Sequence, residues 1–225
     1  MSAVLDLSTR AGLLTAGFMR GVTAAVDPTV NDDAGDGYVA GQTSWLNTAT
    51  GNVFDLIVST AGAAVWRFRP RFWQSGAAVT IGSTTANTAV ATIALAANVL
   101  GAHGRLDVDF AFDVNSTADD KTLRTYFGAS GAGVGGTVLS GIVLTTSLHL
   151  RESRIIQNAG ATNAQIAIGG TTGGYGVANA IAGVTAAIDT TAASEFVIAG
   201  QKETAGDTCI LRHYRATLTR PDIGP

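Results

Sequence analysis

The alternation in RLDVDFAFDVN, residues 105–115, constrains the fold more than any other feature of the chain. Leu106, Val108, Phe110, Phe112 and Val114 fall on one face of an extended strand, with Asp107, Asp109, Ala111 and Asp113 on the other. Such a strand keeps one face in a core and the other in water. Shorter runs of the same period lie at 79–84, 88–94, 121–127, 137–145, 147–157, 164–168, 178–188, 195–199 and 208–219, parted by Gly, Asn, Asp and Ser. Ten strands in about 145 residues, with a turn signal about every ten to fifteen positions, predict an antiparallel two-sheet sandwich rather than βαβ units.

Composition supports the strands and adds a second constraint. Arg outnumbers Lys twelve to two and Asp outnumbers Glu fourteen to three, so the good exposed-helix formers are scarce. Charged residues make up 14% of the chain, against about 25% in an ordinary domain. A lone monomer would have too few charges to cover its surface, so an oligomer is expected. The net charge of −3, with Arg scattered along the chain, leaves no basic stripe for nucleic acid. The longest apolar run, 89–100, is well short of the roughly 20 residues that cross a bilayer, and residues 1–26 lack the pattern of a secretory signal. No membrane insertion is expected. The single Cys209 excludes an internal disulfide and reads as a small buried hydrophobe.

Three zones follow. Residues 1–26 mix Leu5, Leu7, Leu13, Leu14, Phe18 and Met19 with Gly12, Gly17 and Gly21, which predicts an arm that orders on a partner. Residues 27–73 form a small aromatic module: from Gly37 to Trp66 there are two Trp, a Tyr, a Phe and four Gly, and the only charged side chain is Asp55. Pro70 and the Ser75-Gly76 pair mark its end, and the sandwich occupies 77–220.

Sites for chemistry are scarce. GASGAGVGG holds a formal G-x-G-x-x-G at Gly131, Gly133 and Gly136, but the β-branched TVLSGIVLTT after it offers no helix start for a phosphate. Asp32, Asp33 and Asp36 lack the spacing of a calcium loop and read as a turn. Asp107, Asp109 and Asp113 share a strand face and are expected to be exposed. His103, His149 and His213 stand apart, outside any nucleophile or ligand motif. The paired carboxylates of a glycoside hydrolase leave no local signature, but the chain offers only Glu152, Glu195 and Glu203 as glutamates. No catalytic residue, cofactor or metal site is expected.

Two stretches carry a resemblance. Residues 32–66, through Asp33, Gly37-Tyr38, Gly41, Trp45, Asn47, Thr50-Gly51 and Ala63-Ala64-Val65-Trp66, resemble a short connector module of bacteriophage tail-fibre and other virion appendage proteins. Leu100-Gly101, Gly104, Lys121-Thr122-Leu123-Arg124, Phe127-Gly128, Asn163 and Gln165 are similar to a jelly-roll-like domain at the ends of phage fibres and spikes. Phe54 replaces a frequent Tyr in the first, and Ala96 a frequent Pro in the second. The resemblance implies an all-β virion protein, a fibre or spike subunit of head or tail, that trimerises. Its arm would bind other virion proteins and its sandwich a host glycan or protein. A capsid decoration or collar protein without a receptor is the alternative, and a polysaccharide depolymerase a more distant one.

Tyr38, Trp45, Phe54 and Trp66 are expected to form the core of the connector module, with a strand to Trp45, a turn at 48–51 and a strand over 52–58. In the sandwich, if every strand runs the full height, the connections near 85–87, 115–120, 146, 169–177 and 200–207 lie together, away from the connector. In the fourth of these, Tyr175 offers a large contact area at low entropy cost, with Asp119, Asp120 and Lys202 as polar neighbours. These four are the candidate receptor contacts.

Overall fold

The computed structural model describes residues 20–146, 148–168 and 184–225. The fold is all-β, in two compact units: one runs to Arg69 and includes Pro221–Pro225, and the other is Pro70–Arg220.

The smaller unit is a four-stranded sheet in the order β1 (Arg20–Ala24), β2 (Thr43–Asn47), β3 (Val53–Val58), β4 (Val65–Phe68). β2, β3 and β4 form an antiparallel meander, and β1 lies parallel to β2 with Arg20 beside Thr43 and Ala24 beside Asn47. Residues 20–26, expected in the arm, are therefore part of this unit, and the Trp45 indole N–H donates to the Val26 carbonyl at 2.8 Å. Residues 221–225 also return to it. Ile223 and Trp66 exchange two backbone hydrogen bonds of 2.8 Å, which covers the open edge of β4.

The motif residues of the module hold it together. Phe54 and Trp66 are fully buried, Trp45 nearly so and Tyr38 half so. Tyr38, Trp45 and Trp66 meet edge to face in all three pairs, with centroids 5.7–6.3 Å apart, an arrangement that adds about 1 kcal/mol per pair to burial. The Arg20 guanidinium lies 4.4 Å above the Tyr38 ring and closes that side. Asn47 shapes the turn at 48–51 by accepting from the N–H groups of Ala49 and Thr50, and Gly51 supplies the left-handed φ of 73° that closes it.

Asp33 joins two loops of the unit, accepting from the N–H of Gly62 and of Gly35 at 2.6 Å each. Those two donors, Gly62 first, hold its carboxyl below the usual carboxylate range. A lowered folded pKa gives stability that is present above the unfolded value of about 3.9 and is lost as pH falls through the folded value. Asp33→Asn is therefore expected to weaken the acid-side slope of stability against pH. Chemical denaturation of both proteins at a series of pH values checks it, and an unchanged slope contradicts it.

The larger unit contains β5 (Arg71–Ser75), β6 (Val79–Thr80), β7 (Thr88–Leu95), β8 (Arg105–Val114), β9 (Lys121–Ala129), β10 (Thr137–Leu144), β11 (His149–Asn158), β12 (Gln165–Ile168), β13 (Val184–Ala186), β14 (Ser194–Lys202) and β15 (Cys209–Thr219). They make an antiparallel sandwich. One sheet has the order β10-β9-β14-β7, and the other β13-β12-β11-β8-β15-β5, with β6 also paired to β15. The chain changes sheet repeatedly, and β14 returns to lie between β7 and β9, a jelly-roll-like crossover. The apolar face of β8 is 0–4% exposed and forms the core with Leu123, Phe127, Leu139, Ile142, Phe196 and Ile198.

On the outer face of β8 two of the three carboxylates have separate partners. Asp107 binds Arg105, and Asp113 binds Arg212 and His149. β5 pairs with β15 from Arg71 opposite Leu218 to Ser75 opposite Tyr214. The division between units thus falls at Arg69–Pro70, ahead of the expected break at 73–77, because Trp73 is held in the larger sheet.

Strand directions sort the connections. Connections 81–87, 115–120 and 203–208, with residues 145, 146 and 148 between β10 and β11, gather at one end of the sandwich, here the distal end. Pro70 and Arg220, where the chain passes between units, belong to the opposite end, with connections 96–104, 159–164 and 187–193. β12 points toward the distal end, and residues 169–183 after it lie outside the described residues.

Candidate functional site

The distal loops are fixed by the only two lysines of the chain. Lys121 and Lys202 are cross-strand partners at the ends of the two central strands, β9 and β14. Each aliphatic stem extends the core, and both side chains are at most 2% exposed. Like charges directly opposite repel, and these ammoniums separate into different loops. Lys121 Nζ donates to Thr117 Oγ1 at 2.7 Å, the Asp119 carbonyl at 2.8 Å and the Thr145 carbonyl at 3.0 Å. Lys202 Nζ donates to the carbonyls of Gly82, Ala205 and Asp207 at 2.8–2.9 Å. The two ammoniums together tie the four distal connections among the described residues.

Asp207 provides the countercharge. It is buried, and its Oδ1 accepts from Asn115 Nδ2 at 2.8 Å and Thr117 Oγ1 at 3.0 Å. The Asn115 amide above all, then the Thr117 hydroxyl and the charges of both lysines, hold its carboxyl below the usual range against the opposing effect of burial. Asn115 completes the join by exchanging hydrogen bonds with the backbone of Thr208. Nearby, Cys209 is fully buried, and desolvation pushes its thiol up to about 11, so little reactive thiolate forms at neutral pH.

A recess of about 230 Å³ opens at this end, lined by Asp120, Thr122, Gln201, Lys202 and Glu203. Asp120 and Glu203 are exposed and bound to each other: the Asp120 N–H donates to Glu203 Oε2, and the Glu203 N–H to the Asp120 carbonyl, both at 2.8 Å. Gln201 is held by Arg124 at 2.7 Å. The lining offers the carboxylates of Asp120 and Glu203, the Thr122 hydroxyl and the Gln201 amide, groups that can exchange hydrogen bonds with a ligand.

Of the candidate contacts, Asp120 is exposed at the distal end and Asp119 is half-buried there, its carbonyl turned to Lys121. Lys202 corrects the expectation: its ammonium is enclosed by carbonyls and cannot meet a partner. Tyr175 lies outside the described residues. Among the described residues no three His, Cys, Asp or Glu side chains converge on a metal position. The lysine cages imply a chemical silence. In the native protein an N-hydroxysuccinimide ester is expected to leave Lys121 and Lys202 unmodified, and to acylate both after unfolding. Peptide mass spectrometry reads this, and rapid native labelling of either lysine contradicts the cages.

A second polar feature lies within the sandwich. Glu152 and Arg154 occupy core-face positions of β11, opposite Phe110 and Val108 of β8, and Arg154 Nη1 meets Glu152 Oε2 at 2.6 Å. Their side chains are 13% and 2% exposed. Burial pushes the Glu152 carboxyl up and the Arg154 guanidinium down, each against the pull of its partner.

No protein-family model matches the chain, and no curated protein matches its sequence. Solved structures with some likeness include infectious bursal disease virus, Gx strain, at 12% identity and a TM-score of 0.26, over 71% of this chain and 42% of that one. Sacbrood virus of honeybee matches at 12% identity and a TM-score of 0.31, over 69% and 72%. An alginate lyase of polysaccharide lyase family 7 matches at 10% identity and a TM-score of 0.27, over 83% and 85%. The chain spans well under half of the bursal disease virus chain. Scores this low carry no argument about function.

Proposed function

We propose that the chain is a structural protein of a virus particle, a bacteriophage fibre or spike subunit. It acts as a homotrimer and meets a host glycan or protein through the distal end of its sandwich. The observation that carries the reading is the order of its parts. A connector-like module, whose resembling residues serve packing and turns, precedes a sandwich whose two chain passages lie at one end and whose lysine-tied loops lie at the other. Loops held in one conformation lose little entropy on binding, which suits a contact surface. Residues 1–19 keep the role of docking on other virion proteins.

Binding of the purified protein to host cells, read by flow cytometry, tests the host contact. Saturable binding is expected, and it should be lost on insertion of a bulky tag between Thr204 and Ala205. Absence of binding leaves the decoration or collar role, and release of soluble sugar from host polysaccharide would move the reading to a depolymerase.

A further inference from the structure

We infer that copies of this chain associate through the two edges of the β10-β9-β14-β7 sheet, with β7 of one copy pairing antiparallel to β10 of the next. This rests on the trimeric reading above and states how the copies meet. The edges of the other sheets are protected. β1, β4 and β5 carry Arg20, Arg67 and Arg71, while β6 and β13 have two and three residues. Charge and shortness are the usual devices that stop an edge from recruiting another strand. β7, TAVATIAL, and β10, TVLSGIVL, have neither: each has eight residues, with no charge and no proline, and a single bulge, at Val90 and at Leu139, is the one protective device that each carries. Among the described residues β7 pairs only with β14 and β10 only with β9, so each offers one side of its backbone.

The two edges also fit each other. Across a four-stranded antiparallel sheet the outer strands run in opposite directions, so β7 placed beside β10 of a neighbour continues the alternation. Register follows from burial at the two ends of the overlap, while the bulges leave the central pairs Ala91–Gly141 and Thr92–Ser140 out of phase. Full overlap sets Val90 opposite Ile142 and Ile93 opposite Leu139 on the core face. On the outer face it sets Ala89 opposite Val143 and Ala94 opposite Val138, where those valines are 53% and 48% exposed. Small residues on one edge thus meet large exposed ones on the other, and neither edge repels. A contact between two different edges closes into a ring when its rotation allows. Three copies, with four strands each, give a closed sheet of twelve.

Charge placed on the exposed face of each edge tests the pairing. Light scattering at micromolar concentration should give the parent three times the 22.8 kDa monomer mass. Ala94→Glu alone and Val138→Lys alone should each fall to one third of the parent mass with unchanged circular dichroism. The double variant should regain the trimer in low salt, because the carboxylate introduced on β7 then faces the ammonium introduced on β10 of the next copy. A monomeric parent overturns the inference. Single variants that stay trimeric overturn edge pairing but leave the trimer standing, and a double variant that stays monomeric overturns the β7–β10 register. Host binding is read separately by the cell assay.

Discussion

Lys202→Met is expected to lower the melting temperature by about 12 °C, the equivalent of a loss of about 4 kcal/mol for a chain of this size. The methionine fills the space of the stem but donates nothing. The Asp207 carbonyl then loses its donor in a buried place, and those of Gly82 and Ala205 in partly buried ones, at about 1–3 kcal/mol for a group left fully unsatisfied and less where water can replace the donor. Partial relaxation of the loops keeps the total below the sum. Lys202→Arg should not rescue the loss, because a planar fork cannot direct its hydrogens at three carbonyls gathered around one nitrogen. Calorimetry decides the matter: a shift under about 3 °C would mean that the cage holds nothing in place.

Arg154→Met should cost about 3 kcal/mol at neutral pH, since it leaves the Glu152 carboxylate without its partner inside the sandwich. The pH dependence separates this from simple loss of packing. Burial already raises the Glu152 carboxyl with Arg154 present, and removing the arginine raises it further. A carboxyl raised above its unfolded value of about 4.3 favours the folded state below that value, and this is lost as pH rises through the folded value. The variant should therefore recover toward the parent as the solution is acidified, within the range where the parent remains folded. Glu152→Leu combined with Arg154→Met should recover most of the loss at neutral pH, as well-packed apolar replacements of buried ion pairs do. Denaturation curves that show a constant deficit from about pH 7 to about pH 4, or a double variant no better than the single, contradict the pairing.

The strands were legible where one physical rule governed the residues. In β8 the period of two gives both the core face and the charged face, and the expected and observed strands coincide. Turn chemistry was similarly readable between β2 and β3, where Asn47 and Gly51 act locally. β1 escaped notice because RGVTA is short and its pairing with β2 depends on a partner more than twenty residues away. The return of Ile223 to Trp66 has no local signal at all. β11 shows the opposite failure. Its core face reads Leu150, Glu152, Arg154, Ile156, Asn158, so polar residues stand where alternation expects apolar ones, and only the tertiary pairing shows why they are inside.

The distal end was legible in outline and not in mechanism. Alternation of connections places 115–120 and 203–208 together, and their hydrogen bonds through Asn115, Asp207 and the Asp120–Glu203 pair join them. Lys202 read as an exposed polar residue because isolated lysines usually are exposed. The signal that could have corrected it was scarcity. Two lysines beside twelve arginines suggest that an ammonium was needed at those two places, where a compact donor reaches several carbonyls at once.

Quantitative mass spectrometry of gradient-purified virus particles, from a culture that expresses the chain, bears most directly on the proposed structural role. The chain should co-purify with the major capsid protein at a fixed ratio through successive gradients, in a copy number divisible by three. Particles that are complete and infectious yet lack the chain would contradict the virion reading outright.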